Sequence, residues 1–321
     1  MASASVPHRE QLNMTRRLDD TSAALAHMAA RSLEDEARLA PKPGLVDSIN
    51  NGAHADMGLA MFLASAAALE PLFAEYAASG MHLGCGSPSE LAAAARRIGI
   101  RAEKAMFSAT GGVNTHKGAN FTFALVLSAT GALLADGSQL PFDAADSARA
   151  LELVSRMAED LLDADIRALL ARAAQDEGAA GELSHGEQLF LAEGLKGVRG
   201  EAAQGYPLLA HVLLPYLRSS RSELAASDEG RRETLLRALV KLMAQLEDTN
   251  VVHRGGMEAL ASHRAYCSKL DAADLSFSEL ECALATYDRE LIARNVSPGG
   301  AADLLSLGIF FMRLEGLDAQ G

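Results

Sequence analysis

Residues 117–135 read KGANFTFALVLSATGALLA, and the interpretation of this stretch decides the fold. No charged side chain occurs from Gly118 to Ala135. Asn120, Thr122, Ser128 and Thr130 interrupt the apolar run, which leaves it short of the roughly 20 apolar residues a membrane span needs. The stretch is therefore predicted to be a buried core helix. Around it the chain is rich in Ala and Leu, the strongest helix formers. Alternating runs of β-branched and aromatic residues, the mark of strands, are nearly absent. An all-α fold follows, with helices predicted over 18–40, 56–79, 88–109, 117–135, 143–175, 185–195, 206–218, 229–247, 256–264, 277–294 and 300–315. Residues 1–17 are polar and aperiodic and read as a flexible N-terminal tail. With no internal repeat and no clear linker, residues 18–321 read as a single compact multi-helix domain with Gly-rich functional loops. Its charged, Ala/Ser-rich segment 219–232 reads as a surface excursion.

The composition narrows the function. Of 321 residues, 49 % are hydrophobic and 22 % charged, as in an ordinary globular protein. Twenty-nine basic against 42 acidic residues give a net charge of -13, which disfavours a nonspecific nucleic-acid binder. An anionic small molecule remains compatible, because a few local cations can hold a phosphate. Aromatics are 5 % and Trp is absent, so stacking platforms are scarce. Cys85, Cys267 and Cys282 form no C-x-x-C pair and no zinc pattern, and read as thiols in a reducing compartment. The N-terminus lacks a signal-peptide apolar region. A cytoplasmic protein, without membrane or nucleic-acid partners, is expected.

The connections between helices differ in composition from the helices. They read PKPGLVDSINNGAHAD, TGGVNTHKG, GLKGVRGEAAQGYP, DTNVVHRGG and NVSPGG. Gly-rich loops on a rigid scaffold let a backbone approach a ligand closely. Five groups of chemically active residues fall on them.

The first starts on the helix before Pro41. At about 100° per residue, Leu18, Leu25, Ser32 and Glu36 share one inward face, while Glu34 and Asp35 point elsewhere. A carboxylate on a buried face needs a partner, a metal or a chemical role. Pairing of Glu36 with a nearby Arg or Lys is the plain alternative. Pro41 and Pro43 stiffen the chain around Lys42, which suits a phosphate or an ordinary turn. Asp47, His54 and Asp56 follow, and Asp56 also suits an N-cap for a helix starting at Met57. Glu36, Asp47 and Asp56, the candidate metal ligands, are expected to lie together with His54, with at least one of them binding Mg²⁺ through oxygen.

The second group is Thr110–Gly118. Asn114, Thr115, His116, Lys117 and Gly118 stand at the mouth of the uncharged helix, where free N–H groups and the helix dipole favour an anion. It is not a Walker A loop, because Lys117 precedes Gly118 rather than following a glycine and preceding Ser or Thr. The third group holds Lys196, Arg199 and Glu201. The fourth holds Asp248, Asn250, His253 and Arg254. The fifth holds Ser297, Gly299, Gly300 and Asp303. Arg forks suit phosphate oxygens and carboxylates suit Mg²⁺. Five such groups on one scaffold point to a phosphate-handling site with a hard metal, and the five loops are expected to meet at one cleft.

Read together, PKPGLVD (41–47), NGAHADM (51–57), GGVNTHKG (111–118), GLKGVRGEA (194–202), DTNVVHRGG (248–256) and SPGGAADLL (297–305) resemble the triphosphoribosyl-dephospho-CoA synthase family. The resemblance runs over residues 18–310 in order. Ala301 departs from it, at a position where Ser is expected. The resemblance implies a transferase. It converts ATP and 3′-dephospho-CoA into 2′-(5″-triphosphoribosyl)-3′-dephospho-CoA and adenine. The product is the precursor of the prosthetic group of the citrate lyase or malonate decarboxylase acyl carrier protein, and it passes to a transferase acting on that carrier. The wording of PKPGLVD and HADM is slightly closer to the citrate lyase branch. The oligomeric state stays open.

Such a transfer has oxocarbenium character and calls for a base, carboxylates near the positive charge, a proton donor to adenine and cations on the triphosphate. The expected catalytic set is Glu36, Asp47, His54, Asp56, His116 and Asp248. The expected substrate-binding set is Lys42, Asn114, Thr115, Lys117, Gly118, Arg199, Glu201, Asn250, Arg254, Ser297, Gly299 and Gly300. A helical Mg²⁺-dependent hydrolase of an N-glycosidic or phosphate bond would use the same groups with water as acceptor. A non-catalytic helical scaffold is the third reading.

Overall fold

The computed structural model describes residues 8–175, 189, 194, 195 and 197–318. Among these residues there are twelve α-helices, one π-helical turn and no strand. The helices are α1 (His8–Arg38), α2 (Leu59–Leu83), α3 (Pro88–Ala109), α4 (Lys117–Ala135), α5 (Ala144–Gln175), α6 (Gly197–Ala203), α7 (Leu214–Ser219), α8 (Arg221–Ala226), α9 (Asp228–Gln245), α10 (Thr249–Ala272), α11 (Phe277–Ala293) and α12 (Gly299–Leu314). The π-turn, Leu209–Leu213, runs directly into α7, where Pro215 offers no N–H to a regular helical ladder.

The uncharged stretch is α4, and it is the core helix. Thirteen consecutive positions from Thr122 to Leu134 hold only one that is not fully buried, Leu134. Thr122 and Ser128 turn their hydroxyls back onto the carbonyls of Ala119 and Ala124, at 2.8 Å each. Apolar composition is thus kept without orphaned donors at these two sites. Helix α2 crosses α4 at two glycines. A Cβ on Gly80 would stand 2.0 Å from the Ser128 carbonyl oxygen, and one on Gly131 would stand 2.1 Å from that of Ala77. Only glycine permits this backbone approach. Phe73, Phe123 and Phe310 then join α2, α4 and α12, with ring centroids 5.3 and 5.6 Å apart.

Several helix boundaries differ from the sequence reading. Residues 8–17, read as tail, already belong to α1. No Gly or Pro interrupts the chain from His8 to Ala40, so nothing stops the helix there. The predicted helix 56–79 begins at Leu59 instead, with Gly58 as its N-cap rather than Asp56. GLKGVRGEA, read as loop, holds the short helix α6. The predicted helix 256–264 is part of the longer α10, which passes through the Arg-Gly-Gly sequence by bending at Gly256, where φ is 76°. The segment 219–232 forms α8 and the start of α9, and Leu224 anchors it in the core. The predicted helix 185–195 and Lys196 lie outside the described residues, apart from residues 189, 194 and 195.

An ion-pair network aims α1. Asp35 accepts from Arg231 of α9 at 2.7 Å and from Arg313 of α12 at 2.5 Å. Arg231 also meets Asp318 at 2.6 Å, and Arg313 donates to Ser32 at 2.8 Å. Glu34 stays at the surface with Arg31. With its neighbours held outward, Glu36 is left facing the interior, 4 % exposed. Leu25 and Ser32 share its buried face as expected, but Leu18 lies beyond the packed part of α1 and is exposed.

Candidate functional site

Helices α1, α4, α6, α10 and α12 end or begin around one cleft of about 780 Å³. All five Gly-rich segments contribute to its lining. The N-termini of α4, α10 and α12 converge there, each presenting peptide N–H groups and the positive end of a dipole.

Two buried carboxylates occupy part of this positive field. Asp248 is the N-cap of α10, with one oxygen accepting from Asn250 N–H at 2.9 Å. Its other oxygen accepts from Ala301 N–H at 3.0 Å, in the first turn of α12. One side chain therefore caps two helices. Burial pushes its carboxyl up, and the four backbone N–H groups around it push the other way. Asp303 does the same for α4, where Ala119 N–H donates to it. A Cβ on Gly118 would stand 2.0 Å from its Oδ2, so the glycine after Lys117 makes room for this carboxylate. Burial holds the Asp303 carboxyl well above the usual range, and the negative charges of Asp248 and Glu36 add to that.

The corner beneath is closed by Glu36 and Lys42. The Lys42 ammonium donates to Glu36 Oε1, and Lys42 is 1 % exposed. Burial raises the Glu36 carboxyl and the Lys42 charge opposes the rise. The plain alternative for Glu36, pairing with a nearby cation, is thus what the fold contains. Both residues still line the cleft.

Asp47 does not line it. One of its oxygens accepts from Lys42 N–H at 2.9 Å, and the other from Ile49 and Asn50 N–H at 2.7 and 2.9 Å. These bonds fold the Pro-Lys-Pro-Gly segment back on itself, and Asp288 of α11 completes the clasp by accepting from Gly44 N–H and Asn50 Nδ2. Asp56 is exposed, and its charge acts on His54 and Arg254 rather than on Glu36. Of the expected group, Glu36 and Asp47 remain close enough for their charges to interact, whereas Asp56 stands apart beside His54 and Arg254. No group of three His, Cys, Asp or Glu side chains able to hold a metal occurs among the described residues. Asp47 does not reach the cleft because the backbone donors of its own turn take up both its oxygens.

His54 sits in a chain of polar contacts. Arg254 donates to its Nδ1 at 3.1 Å, and its Nε2 lies 3.0 Å from Ser297 Oγ. A guanidinium can only donate, so Nδ1 accepts, and Nε2 carries the hydrogen and donates to Ser297. Both ring nitrogens are engaged, and the Ser297 hydroxyl keeps its own hydrogen for another acceptor. Burial and the Arg254 charge lower the imidazole pKa and keep the ring neutral. Arg254 also donates to the Ala53 carbonyl and Asn295 Oδ1, so its role in fixing the loops is large.

The remaining expected residues divide between lining and support. Lys117, Arg199, Glu201, Asn250, Gly299 and Gly300 all line the cleft. Lys117 is half exposed and 3.5 Å from Glu103. Arg199 lies over the Phe121 ring at 5.9 Å. Glu201 Oε2 is buried without a partner, and burial with the nearby Glu247 charge raises its carboxyl. Asn114 uses its side-chain oxygen to accept from Lys117 N–H at 3.1 Å. Thr115 turns its hydroxyl onto Ser65. His116 lines the cleft and is 3 % exposed. His253 is exposed on α10. Ser65, Glu247, Asp288 and Tyr206, whose buried hydroxyl feels Asp303 and Glu201, were not marked by the sequence. Ser65 and Asp288 lie within helices and Glu247 just ahead of the fourth segment, whereas Tyr206 lies inside GLKGVRGEAAQGYP with no charge to mark it.

An all-α domain that brings five loops, three helix N-termini and buried titratable groups into one deep cleft is built as an enzyme. Its kind is a transferase of nucleotide fragments: the chain belongs to the ATP:dephospho-CoA triphosphoribosyl transferase family, whose sequence model matches residues 22–321. It is 43 % identical over 307 residues to a Streptococcus equi subsp. equi protein named "Probable 2-(5''-triphosphoribosyl)-3'-dephosphocoenzyme-A synthase", covering 94 % of this chain and 99 % of that protein. Proteins of the same name from Streptococcus mutans serotype c and Streptococcus pyogenes serotype M18 are 42 and 41 % identical, each covering 92 % of this chain and 97 % of the relative. No solved structure matches the chain.

Proposed function

We propose that the cleft transfers the triphosphoribosyl group of ATP to 3′-dephospho-CoA and releases adenine, with residues 18–321 as the catalytic domain. The observation that carries this reading is the convergence of helix N-termini and Lys117, Arg199 and Arg254 on a cleft whose interior holds unpaired acid. N–H groups and cations meet phosphate oxygens, and carboxylates meet the positive charge that develops on the ribose. The 2′-oxygen of the acceptor bonds to C1 of the ATP ribose, and adenine leaves with the pair of the broken C–N bond. The hydroxyl proton passes to a cleft carboxylate and from there to the departing base. Glu201, with one oxygen unpartnered, suits that relay.

Glu36, Asp47 and Asp56 do not fit a protein-held Mg²⁺. The ion enters as part of the substrate, carried on the triphosphate oxygens as is usual for Mg²⁺. The product is the precursor of the prosthetic group of the citrate lyase or malonate decarboxylase acyl carrier protein, handed on in the cytoplasm to a transferase for that carrier. Mass spectrometry of products from ATP, Mg²⁺ and dephospho-CoA tests the reading. One adenine should appear for each acceptor consumed. Adenine or phosphate formed at the same rate without dephospho-CoA would make the protein a hydrolase.

A further inference from the structure

We propose that His116 Nε2–H is the donor that recognises the purine ring of ATP, and that Ser65 and Thr115 are positioning residues that hold His116 in this tautomer. The inference rests on the transferase reading for the identity of the ligand.

The argument begins with hydrogens. Thr115 Oγ1 donates to Ser65 Oγ at 2.8 Å. His116 Nδ1 lies 2.8 Å from the same Ser65 oxygen. Ser65 is fully buried, and among the described residues its hydroxyl has no acceptor other than Nδ1, so its one hydrogen is directed there while Thr115 fills a lone pair. A neutral imidazole that accepts at Nδ1 carries its hydrogen on Nε2. The ring is neutral, because burial and the neighbouring Lys42 charge lower its pKa to about 3. Nε2 lies across the ring from Ser65, is buried and has no partner. A buried donor left unpaired costs about 1–3 kcal/mol, so it needs an acceptor that the protein alone does not supply.

The surroundings select the acceptor. Phe62 packs edge-on against the His116 ring, with centroids 4.8 Å apart. Leu33 lies one turn before Glu36 on α1, and Leu45 N–H closes a turn onto the Lys42 carbonyl at 3.1 Å. Both line the cleft with Phe62 and His116. The cation that acts on the ring, Lys42, is already bound to Glu36 and is not offered to a phosphate. Phosphates are better served by Lys117 and Arg254 than by a neutral donor beside the Phe62 ring. A flat heterocycle with neutral ring-nitrogen acceptors matches what the corner offers.

Calorimetric titration of ATP and its 1-deaza, 3-deaza and 7-deaza analogues tests the proposal. One analogue should bind the native enzyme about tenfold more weakly than ATP, the scale of one lost hydrogen bond. His116→Phe should erase that discrimination, Ser65→Ala should reduce it, and His116→Gln should restore part of it through its amide N–H. Inorganic triphosphate should bind all variants alike. Equal discrimination by the native enzyme and His116→Phe, or no discrimination by the native enzyme, overturns the proposal. A second measurement needs no variant to fold well. The ¹⁵N spectrum of the native protein at neutral pH should show His116 protonated at Nε2 and not at Nδ1, with the Nε2 signal moving on ATP addition but not on triphosphate addition. The reverse tautomer overturns the proposal. Preserved discrimination without adenine release would instead sink the transfer reading and leave the purine site standing.

Discussion

Lys42 and Lys117 both belong to Gly-rich motifs and both line the cleft, yet their surroundings differ in kind. Lys42 is 1 % exposed and bound to Glu36, in a corner that also holds His116 and feels Asp47. The Lys117 side chain is 45 % exposed, and its nearest carboxylate is 3.5 Å away on a neighbouring helix. In the corner, charge has been taken out of water and must be balanced by the fold itself. At the rim, charge is still hydrated and is available to a ligand. The same residue type therefore reports on architecture in one place and on binding in the other.

Breaking the corner should have the largest effect. Lys42→Ala leaves the Glu36 carboxyl buried without its cation, and removal of one partner from a buried pair costs about 3–5 kcal/mol. Thermal unfolding should show a large drop in Tm, partly recovered when Glu36→Gln is added. The same reasoning means that Glu36→Gln alone cannot be a purely catalytic change. A Lys42→Ala protein that melts like the native one would remove the contrast between corner and rim.

Next in size is Asp248→Ala, which uncaps α10 and α12 together. At roughly 1 kcal/mol per cap, about 2 kcal/mol should be lost. Asp56→Ala, at an exposed site, should stay within about 0.5 kcal/mol. Equal shifts in the two denaturant midpoints would show that Asp248 is not a structural cap.

The pH dependence sharpens the comparison further. An unfolded His116 protonates near 6.5, whereas the folded ring resists protonation down to about 3. Between these values the unfolded chain binds the extra proton, so stability is lost as pH falls, by about 1.4 kcal/mol per pH unit for one such group. The raised carboxyls of Glu36, Glu201, Asp248 and Asp303 act in the opposite sense. A difference between proteins isolates the histidine. The Tm of His116→Gln should fall less steeply than that of the native protein from pH 6 to 4, and parallel slopes would mean that the ring titrates freely in the fold.

The smallest stability effect belongs to the rim. Lys117→Ala should alter stability by no more than about 0.5 kcal/mol while weakening ATP binding several-fold. Calorimetry and a thermal scan on the same preparation separate the two quantities. Normal ATP affinity would make Lys117 an exposed residue of an ordinary turn.

What the sequence reveals follows the same division. Local patterns were legible: α4 from its uncharged run, Glu36 from helical phase, and the five loops from their glycines. Chain position alone also marked Lys42, His116 and Arg254 as cleft residues. The partners of these groups were not legible. Ser65 sits in an Ala-rich helix with no motif around it, and only the crossing of α2 with α4 brings it to His116. Asp288 is one acidic residue among several on α11, and its bonds to Gly44 and Asn50 span more than 200 positions. The engagement of Asp47 by its own turn was not legible either, because residue spacing does not display how the backbone N–H groups of a tight turn compete for its oxygens. Asp56 failed as a cap because Gly58, two residues on, already adopts the extended conformation from which α2 starts.

The shared cap at Asp248 has a consequence for synthesis of the protein. One of its oxygens is satisfied as soon as α10 forms, but the other waits for Ala301. Asp303, which closes the start of α4, lies in the same late helix. As the chain leaves the ribosome, the walls made by α1 and α4 are finished long before the groups that seal them. The cleft is thus closed last, at α12, and a nascent chain that has not yet released α12 lacks the N–H donor for Asp248 and the carboxylate for α4.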